Sequence, residues 1–196
     1  MPRPKSFISH DALSRAGLLF AKRGFHGATM DDLIQATQVG RQSLYDTYGH
    51  KADLYHACLH HHFQEKINPL LTSRPLDDPR DAIIRLILGY GAIAQTPDGG
   101  CLLARAMTEC QALPEALQPA VNELAERLLM RVIRLLEQSQ EAGTISIRTD
   151  LSRLGSLVFL TLVGTAQSTA VPSIANHMPT IRTALLSIIE HGGVLD

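Results

Sequence analysis

Tryptophan is absent from the 196-residue chain, and all aromatics together reach only 5%. The apolar residues, 45% of the total, are therefore mainly Leu, Ile, Val and Ala, which suit packed helices. Cysteine is also scarce. Cys58, Cys101 and Cys110 include no CxxC pair and are odd in number, which argues against a zinc ribbon or a disulfide framework. No apolar export segment follows Met1-Pro2-Arg3-Pro4-Lys5, so the chain reads as cytoplasmic and its thiols as reduced. Strand-like alternation is missing except at Thr144-Ile145-Ser146-Ile147, too short to found a sheet. There is no repeat, phosphate-cradling glycine loop, cofactor fingerprint or nucleophile–base–acid set. Neither an enzyme nor a cofactor is expected.

Charge is missing from one long stretch. Between Arg153 and Arg182 there is no Asp, Glu, Lys or Arg. Ser156, Thr161, Thr165, Gln167, Ser168, Pro172 and Asn176 interrupt it, which excludes a continuous lipid-facing helix. A helix buried all round, or half of a protein interface, fits better. Net charge is only −1, but residues 1–55 carry +2 and the remainder −3, a polarity compatible with an N-terminal DNA contact.

The rest reads as about nine helices. Ser9 caps the first, which carries Ala12, Leu13, Ala16, Leu19 and Phe20 as an apolar stripe and ends at Arg23, with Gly24 as a left-handed stop. Thr29 and Asp32 have capping-box spacing at the start of a short second helix. Gln38-Val39-Gly40 is a turn, Arg41 to Tyr48 a third helix, and residues 51–67 a fourth ending before Asn68-Pro69. Asp78-Pro79 opens a fifth, reaching Ala94. Further helices cover residues 101–110, 120–140, about 150–170, and from Pro179 through His191.

Two short helices joined by a tight turn, packed on a longer first one, have the size pattern of a helix-turn-helix. Leu44 and Tyr48, four apart, can face inward, leaving Arg41, Gln42, Ser43, Tyr45 and Thr47 outside. Arg can fork onto guanine and Gln can pair with adenine, while hydroxyls and Lys51 can reach phosphates.

Gly24-Phe25, Thr29-Met30-Asp31-Asp32-Leu33-Ile34 and Val39-Gly40-Arg41-Gln42-Ser43-Leu44-Tyr45-Asp46-Thr47-Tyr48-Gly49-His50-Lys51 resemble the DNA-binding domain of TetR-family regulators. Gly99-Gly100-Cys101-Leu102-Leu103 resembles the start of the sixth helix in one branch of that family. The resemblance implies an all-α protein, with residues 1–50 as the helix-turn-helix domain and residues 51–196 as a helical ligand-binding and dimerisation domain. By position it carries DNA contacts to Thr29, Arg41, Gln42, Ser43, Tyr45, Thr47 and Lys51, with Tyr48 standing where the family commonly has Phe. Gln38 replaces a customary Gly, so a left-handed backbone there would be strained. Asp46 either reads a cytosine amino group or points aside.

A homodimer on a palindromic operator, released by a small-molecule effector, is the function the resemblance implies. Its pocket would be surrounded by helices bearing Tyr90, Met107, Leu128 and Leu135, and by those bearing Phe159, Val163 and Gln167. Arg105 and Arg131, if directed inward, need an acidic partner or an anionic ligand. The stripe Leu151, Leu154, Val158 and Leu162, with Ile181, Leu185 and Ile188, is monomer core or interface. Its breadth and lack of charge favour an interface, with Gly155 and Gly164 permitting close approach. Cys101, near a helix start, is a buried small hydrophobe or, alternatively, a thiol that senses oxidants and electrophiles. His56, His60, His61 and His62 show no convergent Cys or carboxylate, and no metal is expected. The rival of another class is a helical small-molecule-binding protein without DNA binding.

Overall fold

Two helices start where the sequence places their caps, at Thr29 and Asp150, while the expected cap Asp78 lies outside the described residues. A computed structural model describes residues 9–71, 79–94, 96, 100–146, 148–168 and 177–190. Among these there is no strand, and nine helices have eight residues or more. They are α1 (Ser9–Gly27), α2 (Met30–Thr37), α3 (Arg41–Tyr48), α4 (Lys51–His62), α5 (Pro79–Ala94), α6 (Leu102–Glu109), α7 (Gln118–Glu141), α8 (Leu151–Ser168) and α9 (Met178–Glu190). None of the described helices is long and apolar enough to cross a membrane. The expected ends near Ala170 and His191 lie outside the described residues.

Three boundaries differ from the sequence reading. Gly24 does not stop α1. It takes φ 73° and ψ 175°, and the helix resumes beyond this kink to Gly27. α4 continues through a wide π turn, Phe63–Ile67, into a last α turn, Asn68–Leu71. Pro69 lacks the N–H that a regular helix would use there, and the widened turn ahead of it accommodates the ring. Residues 144–146 form a bend rather than a strand: Thr144 folds back on α7, its N–H and hydroxyl donating to the Ser139 carbonyl at 2.9 and 2.7 Å.

The chain divides into two units, Met1–Lys66 with Thr96–Ala125 and Ile67–Gln95 with Glu126–Asp196. In the first, α1 packs against α2, α4 and α6, and α3 packs against α4. Phe20, Phe25 and Tyr55 form its aromatic centre. Tyr55 meets Phe20 edge-on at 4.8 Å between centroids and Phe25 at 5.2 Å. Such pairs add about 0.5–1.5 kcal/mol each beyond their buried area. Cys58 is fully buried with them, its thiol donating to the Leu13 carbonyl at 3.6 Å, and burial pushes its ionisation up.

In the second unit, α5 and α9 both pack on α8. Ile83, Leu86, Tyr90, Val132, Val158 and Leu162 are buried. A Cβ on Gly155 would stand 2.6 Å from Ile133 Cγ1, so the missing side chain lets α8 approach α7 of its own chain.

Candidate nucleic-acid interface

Thr29 enters α2 with extended backbone, and its hydroxyl oxygen accepts the Asp32 N–H at 3.1 Å. The Asp32 carboxylate accepts the Thr29 hydroxyl at 2.7 Å and the Thr29 N–H at 3.0 Å, completing the capping box. Arg23 of α1 pairs with the same carboxylate at 2.7 Å. The Thr29 hydroxyl first, then its N–H and Arg23, hold the Asp32 pKa at about 2. Thr29 is thus a cap in the free protein. The next N–H groups of α2, at Met30 and Asp31, belong to the first turn, which has no intrahelical carbonyl to offer them.

The turn to α3 requires a left-handed residue, and Gln38 supplies it at φ 58° and ψ 25°, its N–H closing α2 on the Ile34 carbonyl at 3.0 Å. It is the only positive-φ residue other than glycine among the described residues. This cap points α3 away from α2 while Leu33 and Leu44 bury the inner faces of both.

On α3, Leu44 is 1% exposed and turned inward. Arg41, Gln42, Ser43, Asp46 and Thr47 are exposed, and Tyr45 and Tyr48 half-buried. Arg41 forms an ion pair with Asp31 of α2, and the Gln42 amide donates to Asp46 at 2.8 Å. Asp46 therefore points along its own helix. The Tyr45 ring meets His50 edge-on at 5.8 Å. Lys51 Nζ lies 4.5 Å over the Phe25 ring, where partial burial lowers its pKa. Burial, with Cys58 adding to it, raises the Tyr48 phenol. Of the polar groups placed outward by sequence, two, Arg41 and Gln42, already hold carboxylates. Asp31 and His50 as partners escaped the sequence reading, because their adjacency to α3 residues is set by the turn.

The remaining expected residues are dispersed. Tyr90, Leu128 and Leu135 are buried and Phe159, Val163 and Gln167 half-buried in the second unit, whereas Arg131 is exposed there. Cys101, Arg105 and Met107 belong to the first unit. Arg105 finds its acid one turn on, donating from Nε to Glu109 at 2.5 Å. Cys101 is 3% exposed, with Sγ 3.5 Å from His62 Nε2. Burial foremost, then Lys66 and His61, lowers the His62 pKa to about 4, so a neutral ring faces the thiol. That is a poor setting for a reactive thiolate. Leu154, Val158, Leu162 and Leu185 are buried within their own chain, while Leu151 and Ile188 are half-buried and Ile181 is 39% exposed. Leu157 and Leu160, which the sequence stripe left out, are 41% and 64% exposed. Apolar residues on more than one side of α8 blur the pattern that would tell its inner face from its outer one. Gly155 serves the α7–α8 approach, and a Cβ on Gly164 would meet open space.

Comparison with known proteins agrees with this architecture. Residues 12–58 match the model of bacterial regulatory proteins of the tetR family, and residues 80–185, more than half of the chain, match a tetracyclin repressor-like C-terminal domain. The Cereibacter sphaeroides transcriptional regulator AcuR is 25% identical over 163 residues, 80% of this chain and 74% of AcuR. The uncharacterized regulator YezE of Bacillus subtilis is 44% identical over 55 residues, a match spanning 28% of each protein. A cysteine mutant of the TetR-family regulator CifR, solved with a 26-bp operator duplex, shares the fold. Its TM-score is 0.79 at 22% identity, covering 94% of this chain and 98% of that one. The molecule is a DNA-binding helix-turn-helix transcription regulator, not an enzyme. It belongs to the TetR family.

Proposed function

We propose that the chain is a homodimeric repressor of a palindromic operator, released by a small-molecule effector. Residues 1–50 are the reading domain and residues 51–196 the effector and dimerisation domain. The observation that carries the reading is the outer face of α3, where Arg41, Gln42, Ser43, Tyr45 and Thr47 stand over a buried Leu44 beside Lys51. Paired α3 helices would enter successive major grooves about 34–36 Å apart, or a multiple of it. Leu151, Ile181 and Ile188, joined by the exposed Leu157 and Leu160, are the apolar groups left to cover against a second copy. Tyr90, Phe159, Val163 and Gln167, all in the second unit, are the candidates for effector contact, and an effector acts by binding the non-reading conformer more tightly. Such a regulator works in the cytoplasm.

DNase footprinting on the DNA flanking the gene tests the reading. A protected, two-fold symmetric site that weakens with salt is expected. No protection at any salt concentration would leave the rival, a helical small-molecule-binding protein. The thiol-sensing alternative rests on Cys101 standing at the start of α6, and the neutral His62 beside it weighs against that reading. If Cys101→Ser leaves the response to electrophiles intact, that alternative fails.

A further inference from the structure

The four histidines of the run 56–62 part company in the fold. His56 and His60 face each other at 4.5 Å between ring centroids, and His62 turns to Cys101. His61 turns to α1, where it meets groups the spacing within α4 could not reveal. His10, in the first turn of α1, His61 and Glu65 each bring a ligand atom to one place, all within 4.8 Å of one another. All three lie in the first unit. Around a tetrahedral ion with bonds of about 2.0–2.1 Å, ligand atoms stand roughly 3.4 Å apart. Modest rotations of the exposed His10 and Glu65 side chains close that difference.

His61 is the fixed member. It is half-buried, its Nε2 lies 2.9 Å from Ser14 Oγ, and the His10 ring meets it edge-on at 5.2 Å. A hydroxyl on one ring nitrogen orients the imidazole and leaves the other nitrogen for an ion, the usual service of an outer partner to a ligating histidine. Glu65 sits in the π turn that widens the helix just after His62, and such turns recur at functional sites. Two imidazoles and one carboxylate suit a borderline-soft ion. Calcium and magnesium would demand an oxygen-rich shell that is not there.

We propose that His10, His61 and Glu65 form a site for a divalent transition-metal ion of the zinc class, with solvent completing the shell. The ion would tie the first turn of α1 to the end of α4. Nothing in this depends on the DNA-reading role.

Zinc chloride titrated into the full, tag-free chain against a chromogenic chelator tests the site. One ion per chain is expected, bound at least tenfold more weakly by His10→Ala and by Glu65→Gln. Ser14→Ala should weaken it about ten- to a hundredfold. Zinc at about a hundred times its Kd should raise the wild-type Tm by roughly 5–10 °C and leave His10→Ala unmoved. His10 and Glu65 are exposed, so their metal-free far-UV spectra and Tm should match wild type. The His56→Ala/His60→Ala double variant should retain binding. Equal affinity in wild type and His10→Ala, or loss of binding in the His56/His60 variant instead, overturns the proposal.

Discussion

Glu109 of α6 accepts the backbone N–H of Phe25 at 3.3 Å, across 84 positions of sequence, at the point where α1 kinks. The same carboxylate holds Arg105, so one side chain joins a kinked backbone to a cation on the neighbouring helix. Room for it comes from Gly24, where a Cβ would stand 2.7 Å from Glu109 Oε2. Gly24 also has positive φ, which a side chain resists. Gly24→Ala should therefore cost about 1–3 kcal/mol, read from urea unfolding. A change within about 0.5 kcal/mol, the ordinary range of a surface substitution, would show that the kink imposes nothing.

Gln38 has the opposite problem, since a side chain is present where the backbone favours none. It is exposed and its cap bond is made by the backbone, so nothing but conformation is at stake. Gln38→Gly should raise stability by about 0.5–1 kcal/mol in the same urea assay, and Gln38→Val should lower it. Identical midpoints for the two variants would contradict the left-handed geometry.

Arg41 must exchange its Asp31 partner for DNA before it can contact a base or phosphate. The pair is solvent-exposed, its side chains 56% and 82% accessible, so by itself it is worth little. Asp31→Asn frees the guanidinium and removes a negative charge from the reading face. Operator affinity, measured by fluorescence anisotropy, should then rise several-fold, while Arg41→Ala should lose about 1–3 kcal/mol. Lys51→Ala should instead flatten the salt dependence by about one unit of slope. If Asp31→Asn weakens binding, Asp31 has a positioning role that outweighs its competition for Arg41.

The helices were legible because their caps are local chemistry. Thr29 and Asp32 are three residues apart and meet regardless of the rest of the chain. The outward set on α3 was legible for a related reason, since Leu44 fixes which side is in. What local pattern could not give was the partner of each group. Arg41 was read as a base reader, and its tie to Asp31 exists only once the Gln38 turn sets the angle between α2 and α3. The α8 stripe was less legible: Leu154, Val158 and Leu162 are buried in their own chain while Leu157 and Leu160 face out, and apolar residues on more than one side of the helix blur that distinction. The histidines of the run 56–62 have different partners because successive helical positions point in different directions.

Asp32 gives the capping box a pH signature. Its carboxyl titrates near 2 in the folded chain against an ordinary 3.8, held down first by the Thr29 hydroxyl. A depressed folded pKa stabilises the fold above the unfolded value, and that contribution is lost as pH falls from about 4 towards 2. NMR titration should place the Asp32 midpoint near 2 in wild type and closer to 3.8 in Thr29→Ala. The same variant should lose about 1 kcal/mol at neutral pH through the missing cap. A normal Asp32 midpoint in wild type would dissolve the capping box.

Tyr55 supplies the last test, because its ring and its hydroxyl have different environments. The ring is fully buried and edge-on to Phe20 and Phe25, the packing that aromatic quadrupoles favour. The hydroxyl, buried with it, has no hydrogen-bond partner among the described residues, and burial drives its ionisation upward. A buried donor left unpaired costs about 1–3 kcal/mol, while the ring contacts survive its removal. Tyr55→Phe should therefore keep the fold and raise stability by about 1 kcal/mol, with Tyr55→Ala losing about 3–5 kcal/mol as the aromatic centre empties. Destabilisation by Tyr55→Phe would mean that the hydroxyl is bonded after all, and that this centre is held by a polar contact as well as by packing.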